Sequence, residues 1–403
     1  MNTVYLTGIA YDDSNSQSNC ILTKLRLGTT DDWSEAMDKT FGSSDVIESC
    51  SSIALHQNGE VVTVGNGNSG SSLPKDSNLN LGGGFAMAID RNNLGQIDAT
   101  QLVTRTPDDK IQYPISVVND GDDLYVVSLT STDSKYSREF NQLMSNGGDY
   151  GGFSPNFINM QVYGSSLDMT VTKITLKEQL IDGVPDGDIL FTTAWSKEFP
   201  VSPDGDGSGI IPRVFLGGAI VKKNLGYLAI AGSTRGLGEA YGAAVGMDED
   251  GFITLLDLQT GELSTDVDRN NIREGSAEDD IVLGICHDPA DDSSFYVVGG
   301  TKGIIGTPGT TKDVPEGSLQ AFIRKVDAYT LAEMWTIQWG AIHKNEALQS
   351  TPTVAKAFSC AVSDDVVYVA GVVDDNAEIV KGDSPRMAQG GDDIWVGAVN
   401  VQG

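Results

Sequence analysis

Short runs of β-branched and aromatic residues, each closed by Gly or another small residue, return six times along the chain. They are Val4-Tyr5-Leu6-Thr7-Gly8, Val61-Val62-Thr63-Val64-Gly65, Leu124-Tyr125-Val126-Val127-Ser128, Tyr227-Leu228-Ala229-Ile230-Ala231-Gly232, Phe295-Tyr296-Val297-Val298-Gly299 and Val367-Tyr368-Val369-Ala370-Gly371. Such residues fit a pleated, buried strand, so the runs predict six copies of one strand, b. Five copies follow a second strand, a, and a polar turn. The clearest is Ser52-Ile53-Ala54-Leu55 before His56-Gln57-Asn58-Gly59. Asn-Gly between two apolar runs is the strongest short hairpin signal. Asn119-Asp120-Gly121 and Ser363-Asp364-Asp365 stand at the equivalent turns, and small residues (Ala54, Ser116, Gly218, Ala361) recur in strand a.

A variable loop follows strand b and leads to a strand c, best seen at Gly84–Asp90, Ala321–Asp327 and Asp393–Asn400. A fourth strand, d, carries Trp33, Trp195 or the Trp335–Trp339 segment. One four-stranded meander of about 60 to 75 residues, repeated some six times, is the pattern of a β-propeller. A twisted blade has two apolar faces and cannot cover both alone, so neighbours must stack. The predicted fold is all-β, a propeller-like ring of about six four-stranded antiparallel units in a single domain over residues 1–403. The units fall near 1–49, 50–112, 113–213, 214–279, 280–353 and 354–403, the third lengthened by insertions near 130–165 and 196–214. The first unit opens at strand b and the last stops after strand c, so both read as incomplete blades with unpaired edges. The chain opens almost inside a strand, with no leader, which fits removal of a targeting segment.

The strand b pattern, together with Gly390-Gly391-Asp392-Asp393-Ile394-Trp395-Val396, resembles SBBP-type β-propeller repeats. These are common in bacterial surface proteins and in diatoms and other stramenopile algae. The resemblance covers most of the chain and implies the propeller fold, but it brings no set of functional residues. Its diatom-like character (acidic Ser/Asn/Gly loops, Cys at the head of a repeat) extends to self-assembling shell proteins of the pyrenoid. That implies a plastid stroma or pyrenoid location, with an extracellular one as the alternative.

Charge narrows the partners. With 26 basic and 56 acidic residues the formal net charge is −30, which repels phosphate backbones and anionic bilayers. Nucleic acid and membrane insertion are therefore not expected. A cationic partner is: a divalent metal or a basic protein. Cys20, Cys50, Cys286 and Cys360 lack CxxC spacing and read as buried free thiols. The absence of any N-x-S/T sequon points the same way, toward a reducing compartment.

The search for chemistry returns little. Gly65-Asn66-Gly67-Asn68-Ser69-Gly70 matches GxGxxG, but Ser71-Ser72-Leu73-Pro74 follows instead of a helix start, so a loop is the better reading. Ser202-Pro203-Asp204-Gly205-Asp206-Gly207-Ser208-Gly209 resembles the first half of a calcium loop, with Asp204, Asp206 and Ser208 as candidate ligands. Phe215 occupies the twelfth position, where a bidentate acid is needed, and an ordinary acidic turn is the competing reading, as it is for Asp248-Glu249-Asp250-Gly251. His56 and His287 stand in similar places after strand a, which suggests a shared structural role; His343 is the third histidine. There is no GxSxG, no HExxH, and no sign of the Asp boxes and arginine cluster of a sialidase-type propeller. Paired carboxylates among 56 acids stay open.

The expectation is a non-enzymatic structural protein that assembles with itself into a lattice, tube or shell through edges and loops. The alternative is a monomeric secreted or surface propeller that binds glycan or protein, with calcium as a candidate cofactor.

Overall fold

The computed structural model describes residues 3–12, 17–27, 33–41, 48–67, 83–94, 96–102, 111–131, 168–181, 184–200, 213–235, 250–264, 272–274, 280–288, 291–305, 319–344, 350–363, 365–373, 377–379 and 393–401. They build an all-β, propeller-like fold in which six antiparallel sheets follow one another along the chain. A single 3-10 turn, Lys223–Leu225, is the one helical element among them.

The chain divides into two compact units, Met1–Asp149 with Leu167–Glu198, and Tyr150–Ser166 with Phe199–Gly403. Sheet 1 of the first unit is β1 (Thr3–Asp12), β2 (Gln17–Leu27) and β3 (Trp33–Phe41). Sheet 2 is β4 (Glu48–Leu55), β5 (Glu60–Gly67), β6 (Gly83–Asp90) and β7 (Ile97–Leu102). Sheet 3 is β8 (Ile111–Asp120), β9 (Asp123–Ser131), β10 (Asp168–Ile181) and β11 (Val184–Phe199). In the second unit, sheet 4 is β12 (Arg213–Lys222), β13 (Tyr227–Arg235), β14 (Asp250–Asp257) and β15 (Ile272–Glu274). Sheet 5 is β16 (Asp280–Cys286), β17 (Ser294–Thr301), β18 (Gln320–Asp327) and β19 (Glu333–Trp339). Two further sheets follow. The small one joins β20 (Ala341–Lys344), β21 (Ser350–Thr353) and β24 (Ala377–Ile379), which no sequence pattern announced. Sheet 6 is β22 (Ala355–Ser363), β23 (Val366–Val373) and β25 (Asp393–Asn400). Sheets 1 and 6 thus show three strands each among the described residues.

The cores lie between sheets. Val62 and Val64 of β5 pack with Val117, Val126 and Ile174 of sheet 3, while Val61 joins Cys20 and Leu22 of sheet 1. Phe295 and Val297 of β17 face sheet 4, and Tyr296 and Val298 face sheet 6. Successive side chains leave a strand on opposite faces, and in sheets 2 to 5 both faces of strand b are covered, whereas Val4 and Leu6 of β1 and Tyr368 of β23 are exposed. That is why strand b of these four sheets carries no apolar–polar alternation: all of β17, for example, is buried.

The small residue closing strand b has a distinct cause. In sheets 2 to 6 the register of strand a slips by one residue, between Cys50 and Ser52, Pro114 and Ser116, Leu216 and Gly218, Val282 and Gly284, and Ala357 and Ser359. These are β-bulges, which bend the strand locally. Opposite them stand Gly65, Ser128, Gly232, Gly299 and Gly371. A Cβ on Gly232, Gly299 or Gly371 would lie 2.1, 1.8 or 2.1 Å from the carbonyl oxygen of Phe215, Ile281 or Lys356. In strand a, Gly284 is small for a different reason: a Cβ there would lie 2.6 Å from Phe358 O of the next sheet.

The turns follow their residues. Gly59 and Gly121 have φ of 98° and 69°, so the Asn-Gly and Asp-Gly hairpins form where expected. Between strands c and d, one Asp caps the turn. Asp257 Oδ1 accepts from Gln259 N, Thr260 N and Thr260 Oγ1 at 2.9, 2.8 and 3.0 Å. Asp327 Oδ1 does the same for Tyr329 N, Thr330 N and Thr330 Oγ1 at 2.9, 2.8 and 2.9 Å. Asp327→Ala should lower stability by about 1 kcal/mol in urea denaturation, the usual cost of losing such a local cap. Asp327→Asn should recover most of it; an alanine variant as stable as the parent would show that the turn does not need its cap.

The thiol expectation is corrected. Cys20 on β2 is bonded to Cys50 on β4, and Cys286 on β16 to Cys360 on β22. The Cα pairs stand 5.0 and 5.7 Å apart, within normal disulfide reach. Each bridge staples two successive sheets. The partners are 30 and 74 residues apart in sequence, so only sheet stacking brings them together.

Candidate functional site

The two ends of the sheets differ. Within each sheet, one end carries the short a–b and c–d turns, and at the other end the strands stop that border the connections 68–82, 103–110 and 132–167 in the first unit and 201–212, 236–249 and 302–319 in the second. Rigid sheets with long loops at one end are a common platform for recognition. The candidate calcium residues Asp204, Asp206 and Ser208 lie outside the described residues, as do Asp248, Glu249 and Gly70. Gly65 and Gly67 are simply the end of β5, so the GxGxxG match opens on a strand.

At the loop end the strands change character and bury polar side chains. In sheet 3, Gln112, Thr130 and Asp168 stand side by side across the ladder, and Thr130 Oγ1 bonds Thr170 Oγ1 at 2.6 Å. In sheets 4 and 5 the row is Thr234 opposite Asp250, then Asp280 opposite Thr301 opposite Gln320. Asp250 and Asp280 are each only 1% exposed. Ser233 joins the two sheets, its Oγ accepting from Val282 N at 2.9 Å. Gln338 Nε2 donates to Gln320 Oε1 at 2.6 Å and to Gly303 O at 2.8 Å, and Gln338 Oε1 accepts from Ile305 N at 3.3 Å. Buried polar groups must be hydrogen-bonded, and these bonds fix the base of the 302–319 connection. Sequence inspection missed this row because Thr, Gln and Asp at strand ends look like loop residues.

Buried lysines tie the sheets together. Lys24 on β2 donates to Arg91 O of sheet 2, Lys325 on β18 to Val401 O beyond β25, and Lys222 to Asp291 O and Ser294 O of sheet 5, both at 2.8 Å. Lys24, Lys173 and Lys325 each lie over the cross-strand Tyr of strand b, with Nζ 5.6, 5.4 and 5.6 Å from the rings of Tyr5, Tyr125 and Tyr296. A buried ammonium is tolerated only with such acceptors and ring faces around it.

The histidines occupy the places the sequence suggests. His56 and His287 both follow strand a, and His56 is buried with Nδ1 2.7 Å from Asn58 Oδ1. Burial and the Lys222 ammonium hold His287 down near about 4, so it is neutral at physiological pH. Beside His56, Glu60 is pushed up to about 7 by burial, by its hydrogen bond with Asp98, and by the charges of Asp98 and Asp90. Of the third histidine only the strand, β20, is described. Among the described residues no three His, Cys, Asp or Glu groups stand together as a metal site requires.

No family model matches the chain, and no curated protein matches it in sequence. Among solved structures it is similar to Trypanosoma rangeli sialidase in complex with 2,3-difluorosialic acid: TM-score 0.42, 9% identity, 93% of this chain and 57% of that one. It is similar to a mutant of that sialidase displaying trans-sialidase activity at TM-score 0.40 and 10% identity, covering 82% of this chain and 45% of that one. For the extracellular domains 1-2 of Drosophila semaphorin 1a, the TM-score is 0.29 and the identity 10%, over 99% of this chain and 86% of that one. The chain spans about half the length of the sialidase chains it resembles. These are propeller-type folds, and at such identity they bring no substrate or ligand to this chain.

The expectation of a self-assembling structural lattice or shell is corrected here. The structures to which the chain is similar are sialidases and a semaphorin, not shell proteins. The free thiols on which that reading leaned are disulfides.

Proposed function

We propose that this chain is a binding propeller, secreted or displayed on a surface, that engages a glycan or protein ligand with its loop end. The observation that supports it best is the pair of disulfides between successive sheets. Structural disulfides form and persist in oxidising compartments, outside the cytosol and the plastid stroma. The locked strand ends beneath long, polar connections supply the rest, because they hold varied loops on a rigid base. The finer reading, an SBBP-type repeat protein, rests on the strand b pattern and on Gly390–Val396, and agrees with surface display.

Calcium belongs to this proposal through the spacing of Asp204, Asp206 and Ser208. The experiment uses the oxidised chain on a glycan array and on a panel of surface-protein ectodomains, with calcium and with chelator. Binding should disappear when 306–318 is replaced by a short Gly-Ser linker that keeps Gly303, Ile305 and Leu319, while the melting curve stays cooperative. Calcium should raise the melting temperature by several degrees, and Asp204→Ala should remove that shift. Equal binding by intact and loop-replaced chains, or binding to nothing on either panel, defeats the proposal. A shift that survives in Asp204→Ala removes the calcium part alone.

A further inference from the structure

Sheet 6 stops on an open strand edge. Its strand order is β22-β23-β25, so β25 borders β23 on one side and no described strand on the other. Sheets 2 to 5 each carry a fourth strand beyond the one that corresponds to β25. Every second residue of an edge strand turns its N–H and C=O away from its single neighbour, which leaves a template for pairing. Charge, proline or a bulge commonly blunts such an edge. β3, at the outer edge of sheet 1, carries Glu35, Asp38 and Lys39. β25 has none of these devices. It pairs with β23 without a register shift, and Ile394-Trp395-Val396-Gly397-Ala398-Val399 holds no charge and no proline.

The two faces of β25 differ. On the inner face, the Trp395 ring stands 5.8 Å from the Trp339 ring of sheet 5 and lies against Gly371, and Val399 and Val401 join the core between the two sheets. Lys325 Nζ and Trp335 Nε1 donate to Val401 O at 3.1 and 3.2 Å, and Val401 N donates to Asp365 O at 2.9 Å. The strand is therefore held firmly from one side. On the outer face, Ile394 and Val396 are 80% and 70% exposed, the highest values among the large apolar residues described. They stand opposite Val372 and Ala370, and Ala398 stands opposite the exposed Tyr368. Acids flank this apolar stretch, Asp393 at its start and Asp365 beside its far end.

A rigid edge with apolar side chains at every second position is complementary to another extended strand. A second copy of this chain would bring one formal charge of −30 against another, whereas a cationic segment is attracted. We propose that β25 docks an extended, basic segment of a partner protein, which joins sheet 6 as its fourth strand. The segment carries apolar residues at alternate positions beside Ile394, Val396 and Ala398. Its Lys or Arg residues lie near the ends, where they meet Asp393 and Asp365. This docking edge is separate from the loop end and does not depend on what binds there.

The probe is the nonapeptide Lys-Lys-Val-Thr-Ile-Thr-Val-Lys-Lys, acetylated and amidated, titrated calorimetrically into the full oxidised chain. It should bind one to one, and raised salt should weaken it several-fold. Hydrogen exchange of the 393–400 amides should slow by about tenfold or more in the complex. N-methylation of the five central peptide residues keeps the charges but removes the ladder donors, and should abolish binding. Ile394→Lys and Val396→Lys should each weaken binding by about tenfold or more with the melting curve unchanged, because both side chains are exposed. The chain with 306–318 replaced should bind the peptide as the parent does, so failure here and failure of the loop-end proposal are told apart. No binding by the parent, equal affinity for the N-methylated peptide, unslowed exchange over 393–400, or full binding by both lysine variants overturns the docking strand. So does a parent chain that dimerises alone in sedimentation and turns monomeric with Val396→Lys, because the occupant is then a second copy.

Discussion

Reducing the two disulfides should cost this protein most of its stability. In the chain-entropy account, closing loops of 30 and 74 residues restricts the unfolded chain by ~3.6 and ~4.5 kcal/mol. A domain's net stability is only about 5 to 15 kcal/mol, so losing both bridges should leave the chain largely unfolded at 37 °C. The bridges also do something local: each joins successive sheets, and the residues around them (Leu22, Phe41 and Phe85 at one, Tyr296, Ala357 and Val369 at the other) form the inter-sheet cores. Urea unfolding of the oxidised chain, the Cys286→Ser/Cys360→Ser variant and the fully reduced chain measures this. The double serine variant should lose about 2 to 5 kcal/mol. Identical curves before and after reduction would mean that the thiols are free, and the oxidising-compartment reading would fall with them.

Gly299→Ala should be the most damaging glycine-to-alanine change among the described residues, costing about 3 kcal/mol or more. The added carbon would stand 1.8 Å from Ile281 O and 2.9 Å from the Phe322 ring. The first contact is with backbone inside a bulge, so no side-chain rotation relieves it; either the bulge straightens or strand b leaves strand a. Gly232 and Gly371 should behave alike, each meeting a carbonyl at 2.1 Å. Gly8 is the informative control. It closes the first copy of the same sequence pattern, yet among the described residues a Cβ there meets only Ile21 Cγ2 at 3.9 Å, because β1 pairs with β2 and no bulged strand a is described beside it. Gly8→Ala should therefore be neutral to within about 0.5 kcal/mol. Thermal unfolding of the two variants side by side decides the matter, and equal losses at Gly8 and Gly299 would remove the bulge as the cause.

Strand b of sheets 2 to 5 was legible from composition alone because both its faces are covered, so a run such as Phe295-Tyr296-Val297-Val298 needs no polar interruption. The hairpins were legible because Gly59 and Gly121 must take positive φ, a demand local to a few residues. The repeat of four strands, the Trp-bearing strand d and the matching places of His56 and His287 belong to the same class. Each depends on neighbours close in sequence, and periodicity records such constraints.

The disulfides and the buried row of Thr234, Asp250, Asp280, Thr301 and Gln320 were not legible, for one shared reason. Their partners meet across a ladder or a sheet-to-sheet contact, and residue spacing carries no trace of which strands will stack. Reading Cys286 and Cys360 as free thiols went wrong there: both were placed on inner strands of different repeats, and the missing fact was that those strands touch. The closing Gly of strand b lies between the two cases. Its recurrence is plain in the sequence, but the sequence alone treats Gly8 and Gly299 as equals. Only the tertiary structure separates them, because the Ile281 carbonyl beside a bulge occupies the Cβ site at Gly299, while among the described residues only Ile21 Cγ2, at 3.9 Å, comes near it at Gly8.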